Sequence, residues 1–310
     1  MTGVAVVIPV FNGANTVARA IDSALCQRFD GEFEVIVVND GSTDATAAVL
    51  TQYESRIRVL NQQNRGPAHA RNVAAALSTA EYIAFLDADD AFMPDKLART
   101  LPKLASDDQA AMLFHDAIAL NRNGREVAPS CVSPESAHPP SMHEMLTQLW
   151  PILTSTVVMR RQTFQLCGGF GEEFKFGYED PDLWIRAREH GHFIYMAESL
   201  TYYTLIEERT ERMEKYLTSQ AVFFRRLRQR YGDAAEELIR RIVRSYTNWL
   251  GYQGLLAMQS GDRAAARGYF ARILRRQPTH MKSALRYLRT FLPTPIARAL
   301  SGRTAGPKRW

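Results

Sequence analysis

The sequence predicts a doubly wound α/β domain followed by a smaller, all-helical one. Three observations predict it. Across the first 120 residues, short apolar runs rich in β-branched residues alternate with helical patterns. Those runs are continuously apolar, the mark of parallel strands buried on both faces. From about residue 211 onward the pattern becomes helical and arginine-rich.

In order, Val4–Val10 (VAVVIPV) reads as a buried strand. Residues 15–25 read as a helix with Val17, Ala20, Ile21, Ala24 and Leu25 on one face. A second strand covers 34–39, and a helix over 42–54 has Ser42, Thr43 and Asp44 as candidate caps. A short strand at 57–60 precedes an alanine-rich helix over 67–77 with Pro67 at its start. The strand 82–86 (YIAFL) runs into Asp87-Ala88-Asp89-Asp90. This βαβ order places a ligand beyond the carboxyl ends of the strands. Residues 121–145, rich in Asn, Pro, Ser, Gly and His, read as a loop or short lid. Gly168 to Gly171 form a turn, and 182–189 fit a helix. Gly232-Asp233 and Gly261-Asp262 mark helix breaks. Residues 261–278 resemble one tetratricopeptide-type hairpin, and because about three such units make a stable array, the rear reads as a small helical domain. The expected domains are 1–210 and 211–310.

The net charge of +5 hides an asymmetry. Residues 1–200 carry 16 Lys and Arg against 25 Asp and Glu, whereas 201–310 carry 22 against 8. Acidic clusters can hold a metal, and a basic tail suits an anionic membrane or nucleic acid. No nucleic-acid motif is present and the front half is acidic, so no nucleic-acid partner is expected. On a helix over 283–293, Leu285, Leu288 and Leu292 share one face with Arg286 and Arg289 to the side. That pattern fits peripheral contact with an anionic membrane, or leucines that pack on the front domain. Cys26, Cys131 and Cys167 form no CxxC pair, which disfavours a disulfide framework or zinc site. A reducing cytoplasm, with contact at the inner face of the membrane, is the expected location. The opening apolar run is short, contains Pro9 and follows no basic leader, so no signal peptide is expected. No run approaches the ~18 apolar residues of a membrane span.

Four clusters carry chemistry. Asp87, Asp89 and Asp90 follow an apolar strand, where three carboxylates need a cation or hydrogen bonds to coexist. Hard oxygens suit Mn2+ or Mg2+; the lesser alternative is an acidic turn that caps the helix starting near Pro94. Asp40 ends a strand, the place for a carboxylate that meets a nucleotide. Arg71 lies one turn into a helix opened by Gly66-Pro67, placed for phosphate, base or solvent. Glu179 and Asp180 precede an apolar helix: Asp180 reads as a general base, as an N-cap before Pro181, or as both.

Taken in order, VVIPVFNGANTVARAIDSALCQ, VIVVNDGSTDAT, NRGPAHARN, FLDADD and GGFGEEFKFGYEDPDLWIRA resemble glycosyltransferase family 2 over roughly residues 3–203. The resemblance implies the Rossmann-like GT-A nucleotide-sugar-binding fold. It implies that Pro9 and Phe11 line a nucleobase pocket and that Asp40 binds the base, usually uracil. Arg71 would meet the nucleotide side, Asp87 the ribose, and Asp89, with Asp87 beside it, the metal. Asp180 would be the base, with Glu179 supporting it or holding the acceptor. Gly168, Gly169 and Phe170 would lie under the transferred sugar, and Leu183 and Trp184 would anchor their helix. It further implies an inverting transfer from a nucleotide-diphospho-sugar to a carbohydrate or lipid-linked acceptor with Mn2+ or Mg2+. One departure stands out: relatives often carry a histidine or basic stretch after the last strand. Here 202–210 hold no histidine and two glutamates, leaving Arg209 or Arg212 as substitutes. Acceptor choice is expected in 121–150 and near Ser155-Thr156. Two rivals are a sugar nucleotidyltransferase, whose glycine- and arginine-rich loop is missing at Phe11 to Asn15, and an inactive carbohydrate-binding or scaffold relative, which the intact carboxylates argue against.

Overall fold

The structure, a computed structural model, describes residues 3–174, 176–205 and 213–291. The first half forms β1 (Val4–Val10), α1 (Val17–Leu25), β2 (Phe33–Asp40), α2 (Thr46–Thr51), β3 (Arg58–Gln62), α3 (Pro67–Ala76), β4 (Tyr82–Phe85), the short β5 (Ala91–Phe92) and α4 (Lys96–Ala105). There follow β6 (Ala110–Leu120), β7 (Glu126–Ala128), α5 (Met142–Thr147), β8 (Val158–Arg160), α6 (Arg161–Leu166), α7 (Glu179–Ala187) and β9 (His192–Thr204). Four further helices are α8 (Met213–Tyr231), α9 (Glu236–Gln259), α10 (Arg263–Arg276) and α11 (Met281–Arg289).

The sheet runs β3-β2-β1-β4-β8-β6-β9-β5, with β7 on β6. The four strands of the expected βαβ segment, β3, β2, β1 and β4, are parallel. Beyond them the sheet is mixed: β8 runs antiparallel to β4 and β6, while β6 and β9 are parallel. The reversal at β8 comes from residues 121–157, which return the chain without a long crossover helix. Every residue of β1 is buried. Val4, Val6, Ile8 and Val10 share a core with Ala20 and Ile21 of α1 and Leu97 and Leu101 of α4. Alternate residues face the other side, where α3 lies along β1 and β2. Small buried side chains on α3, Ala68, Ala70, Ala74 and Ala75, let that helix approach closely.

By packing, the chain divides into compact units 1–236 and 237–310. The expected boundary at 210 lies outside the described residues, and α8 belongs with the first unit. The Gly232-Asp233 break becomes a 3-10 turn between α8 and α9. In the second unit Asp262 caps α10 by accepting from Ala265 N–H at 2.9 Å. Gly254 of α9 lies so close to Phe270 of α10 that a Cβ there would sit 2.7 Å from the ring. Trp249 and Tyr269 meet edge to face at 6.3 Å. Residues 261–278, expected to resemble one helical hairpin, hold a single helix, α10, which packs against α9 and α11. Among the described residues no helix is long and apolar enough to cross a membrane.

Candidate active site

The carboxyl ends of β2, β1 and β4 lie side by side. Asp40 closes β2, Phe11 follows β1, and Asp87 stands two residues past β4. Pro9 is buried inside β1. Its nitrogen falls on the β4 side, beyond Val7↔Phe85, the last pair of that ladder, so no sheet bond is lost. Of the two expected nucleobase contacts, only Phe11, 51 % exposed, presents an open side chain.

The loops after β1 and β2 are tied together. Ser42 Oγ accepts from Asn12 N–H at 2.9 Å, Thr43 N–H donates to Asn12 Oδ1 at 2.8 Å, and Asp44 Oδ2 accepts from Ala14 N–H at 3.1 Å. Ser42 and Thr43 are therefore not the caps of α2 that their positions suggest; Ala45 holds the N-cap position without a side-chain bond, and Asp44 Oδ1 accepts from the first helical N–H, that of Thr46, at 3.0 Å. The Thr46 hydroxyl, then backbone N–H groups, hold Asp44 below the usual carboxylate range against a small burial cost. With 42–45 occupied in this way, α2 is shorter than its pattern predicts. Asp40 is buried and its carboxylate binds the chain: Oδ1 accepts from Gln62 Nε2 at 2.7 Å and Arg65 N–H at 2.8 Å, and Oδ2 from Gly66 N–H at 2.8 Å. It thereby fixes the entry to α3.

One turn in, α3 delivers Arg71 to the centre of the site. Its side chain is only 6 % exposed. Nη2 donates to Asp87 Oδ1 at 2.5 Å, Nη1 reaches Glu179 Oε1 at 3.4 Å, and the guanidinium lies 5.3 Å from the Phe170 ring centre. Burial opposes its charge, but Asp87 and Glu179, with Asp180 behind them, more than offset this and raise its pKa. Arg71 is thus not the solvated surface arginine that was the simplest alternative.

The acidic turn divides its three carboxylates. Asp87 pairs with Arg71, Asp89 remains partly exposed, and Asp90 is buried. Asp90 Oδ2 accepts from Ser155 Oγ at 2.5 Å and Oδ1 from Thr204 N–H at 2.8 Å. Ser155 Oγ in turn accepts from Asp87 N–H at 3.0 Å. Burial, then the charges of Asp87 and Asp89, push Asp90 well above the usual carboxylate range. Beside it Lys96, fully buried, donates to Ser155 O at 2.7 Å. Burial pulls that ammonium well below its usual range, with Asp90 opposing. Ser155 and Thr156, near which acceptor choice was expected, are both 1 % exposed; Ser155 holds the acidic turn from beneath, and the Thr156 hydroxyl donates to Leu153 O at 2.7 Å.

Glu179 opens α7, and its N-cap is Tyr178. Asp180 and Pro181 are therefore the second and third helical residues, which overturns the reading of Asp180 as the N-cap. Tyr178 adopts φ +71°, a strained value for a side-chain-bearing residue. It is held there by Phe223 and Tyr216, with ring centres 5.0 and 4.7 Å away, and by Gln220 Nε2 donating to its hydroxyl at 2.9 Å. Burial, then the Glu179 charge, push the Asp180 carboxyl up to about 8, with Arg71 opposing. Glu179 Oε2 and Arg71 Nε are enclosed without a hydrogen-bond partner among the described residues.

Gly169 is buried at φ +72°, and an added Cβ would lie 2.6 Å from Asn72 Oδ1. Asn72 clamps the turn by donating to Phe170 O at 2.9 Å and accepting from Phe170 N–H at 2.8 Å. Gly169 thus shapes the turn instead of offering an open floor. Leu183 and Trp184 are buried as core anchors, as expected.

Two residues that sequence reasoning passed over join the site. Arg19 of α1 donates to Asp89 O and, at 2.9 Å, to Thr204 Oγ1. Tyr203 is surrounded by Asp90, Asp87, Asp89 and Asp180, and burial, then those charges, raise its phenol pKa. Arg19 had no local signal, because its partners are 70 and 185 positions away. Arg209 and Arg212 lie outside the described residues.

Among the described residues no group of three or more His, Cys, Asp or Glu side chains converges on a metal position. The donors expected from the sequence, Asp89 and Asp87, would offer only two hard carboxylates. Such a sparse set fits Mg2+ or Mn2+, which keep waters and substrate phosphates as their remaining ligands.

Residues 5–164 match glycosyl transferase family 2. An uncharacterized glycosyltransferase of Rickettsia prowazekii is 32% identical over 188 residues, covering 59% of this chain and 58% of the relative. The chondroitin synthase of Pasteurella multocida is 29% identical over 196 residues, covering 62% of this chain and 20% of that protein. The chain thus spans little more than half of the Rickettsia relative's length. Among solved structures, S. aureus TarS 1–349 in complex with UDP-GlcNAc superposes with a TM-score of 0.59 at 19% identity, over 94% of this chain and 89% of that one. That likeness concerns the fold, the GT-A arrangement expected from the sequence. With more than half of its length matched, and the motif residues Asp40, Arg71 and Asp87 gathered at the strand ends, the chain belongs to glycosyl transferase family 2.

Proposed function

We propose that the chain is a metal-dependent, inverting transferase that moves a sugar from a nucleotide-diphospho-sugar to an acceptor hydroxyl on a carbohydrate or lipid-linked carbohydrate. The observation that carries this reading is the Arg71 bridge. One buried guanidinium joins Asp87, on the donor side, to Glu179, beside the base. Phe11 and Asp40 would meet the nucleobase, with Pro9 setting the strand end behind them. Asp87 would meet the ribose, and Asp89 and Asp87 would hold Mn2+ or Mg2+. A divalent ion bound there supplies positive charge against the diphosphate as it leaves. Asp180 takes the proton from the acceptor hydroxyl while that oxygen attacks the anomeric carbon. The bond from that carbon to the diphosphate oxygen breaks in the same displacement, and the configuration inverts. Glu179 Oε2, without a partner among the described residues, would accept from a substrate hydroxyl. The likeness to a chondroitin synthase, and to a protein crystallised with UDP-GlcNAc, supports a UDP-sugar donor.

The test is a panel of UDP-sugars with Mn2+, scored for release of UDP with and without sugar acceptors. Acceptor-stimulated UDP release supports the reading. Pyrophosphate release from a nucleoside triphosphate and a sugar phosphate would identify a nucleotidyltransferase instead. Stabilisation by UDP with metal, without turnover of any donor, would identify an inactive relative.

A further inference from the structure

Among the described residues, the last helix of the second unit, α11, has an exposed apolar face. On α11, Met281, Leu285 and Leu288 are 71, 57 and 60 % exposed, and Phe291 just beyond is 58 % exposed. At 100° per residue, Met281, Leu285 and Leu288 fall within one narrow stripe. Lys282 and Arg289 fall along one edge of that stripe, with Arg286 beside them. The opposite face carries the buried Ser283 and Thr290 and packs inward. The helix is therefore sided, and its apolar side faces outward.

Charge decides what that side can meet. After Asp262 the chain holds no Asp or Glu and twelve Lys and Arg. Lys282 and Arg275 are exposed. Burial, then the neighbouring Arg289 charge, lower the pKa of Arg286, as expected where cations crowd together. A second copy docking through this face would bring the same positive charge against it. Nucleic acid would satisfy the charge but would leave the leucines in water. An anionic lipid surface satisfies both, taking leucines at the acyl boundary and cations at the headgroups. We infer that α11 and the basic residues around it form a docking surface for an anionic lipid bilayer, with Met281, Leu285 and Leu288 inserted and Lys282 and Arg275 at the headgroups. The sequence expectation had Leu292 on this face; it lies outside the described residues, and Met281 supplies the stripe instead.

The surface is independent of the proposed catalytic residues, so its failure and theirs can be told apart. The experiment is co-sedimentation of the full chain with phosphatidylcholine vesicles, with and without phosphatidylglycerol. Two double variants are compared, Leu285→Gln with Leu288→Gln and Lys282→Glu with Arg275→Glu. All four positions are exposed, and unchanged melting verifies the fold. The expected result is binding that needs phosphatidylglycerol and weakens with salt. Each double variant should reduce it by roughly tenfold or more, while donor turnover in solution is unchanged. Equal binding by wild type and variants, binding indifferent to lipid charge, or no vesicle binding would overturn the inference. So would a dimer in sedimentation velocity that the leucine variant abolishes, or binding to a single-stranded RNA in place of vesicles.

Discussion

Arg71 Nη2 lies 2.5 Å from Asp87 Oδ1, joining a helix that starts at Pro67 to the turn that ends β4. The same guanidinium reaches Glu179 on α7. Removing it leaves two carboxylates enclosed beside each other without a cation. Breaking a buried pair typically costs about 3–5 kcal/mol. Since the Asp87 side chain is 29 % exposed, the lower end of that range is expected for Arg71→Met. Urea denaturation measures it; a loss below about 1 kcal/mol would mean the bridge is ornamental to the fold.

Asp180→Asn should retain donor binding and the fold while turnover drops by about 10²–10⁴. The fold survives because Asp180 is not the helix cap; Tyr178 holds that position. UDP affinity and UDP-release rate, measured on the same preparation, decide it. Near-normal turnover would remove Asp180 from the reaction.

The pH dependence follows from the same residue. Burial and Glu179 raise the Asp180 carboxyl to about 8. The folded protein therefore holds this proton more tightly than the unfolded chain, and a base works only after losing it. The rate with donor and acceptor below saturation should rise with pH across about 6 to 9 and level off above. That limb should vanish in Asp180→Asn. A flat profile over that range in the wild type would contradict the assignment.

Two adjacent glycines should differ in tolerance. Gly168 and Gly169 both adopt φ +72°, but a Cβ meets nothing within 4 Å at Gly168 and meets Asn72 Oδ1 at 2.6 Å at Gly169. Gly168→Ala should cost about 1 kcal/mol of backbone strain. Gly169→Ala should cost more and disturb the Asn72 clamp on Phe170. Equal melting temperatures for the two variants would show that the clamp yields freely.

Much of this architecture was legible. The parallel strands β1 and β2 announced themselves through continuous β-branched runs, β4 through a short apolar run, and Arg71, Asp87 and Asp180 through their places at strand and helix ends, whereas β3 is polar and half-exposed. Side-chain commitments over long separations were not. Ser42 looks like a cap because capping is a local signal, and Asp44 does accept the first N–H of α2, whereas the bonds of both to residues 12 and 14 depend on two loops meeting. Ser155 looked like an acceptor contact, yet it lies under the acidic turn, 65 positions from Asp90. Tyr178 displaced Asp180 as N-cap because aromatic packing from α8 stabilises a backbone angle that no propensity predicts.

Whether Asp89 holds a divalent ion against the donor diphosphate is tested most directly by UDP affinity, measured by calorimetry with and without Mn2+, for wild type and Asp89→Ala. In the wild type, Mn2+ should tighten UDP binding markedly, and UMP should gain little. Asp89→Ala, folded as judged by its melting, should bind UDP weakly and gain nothing from Mn2+. Unchanged Mn2+-dependent UDP affinity in the folded variant would contradict the account.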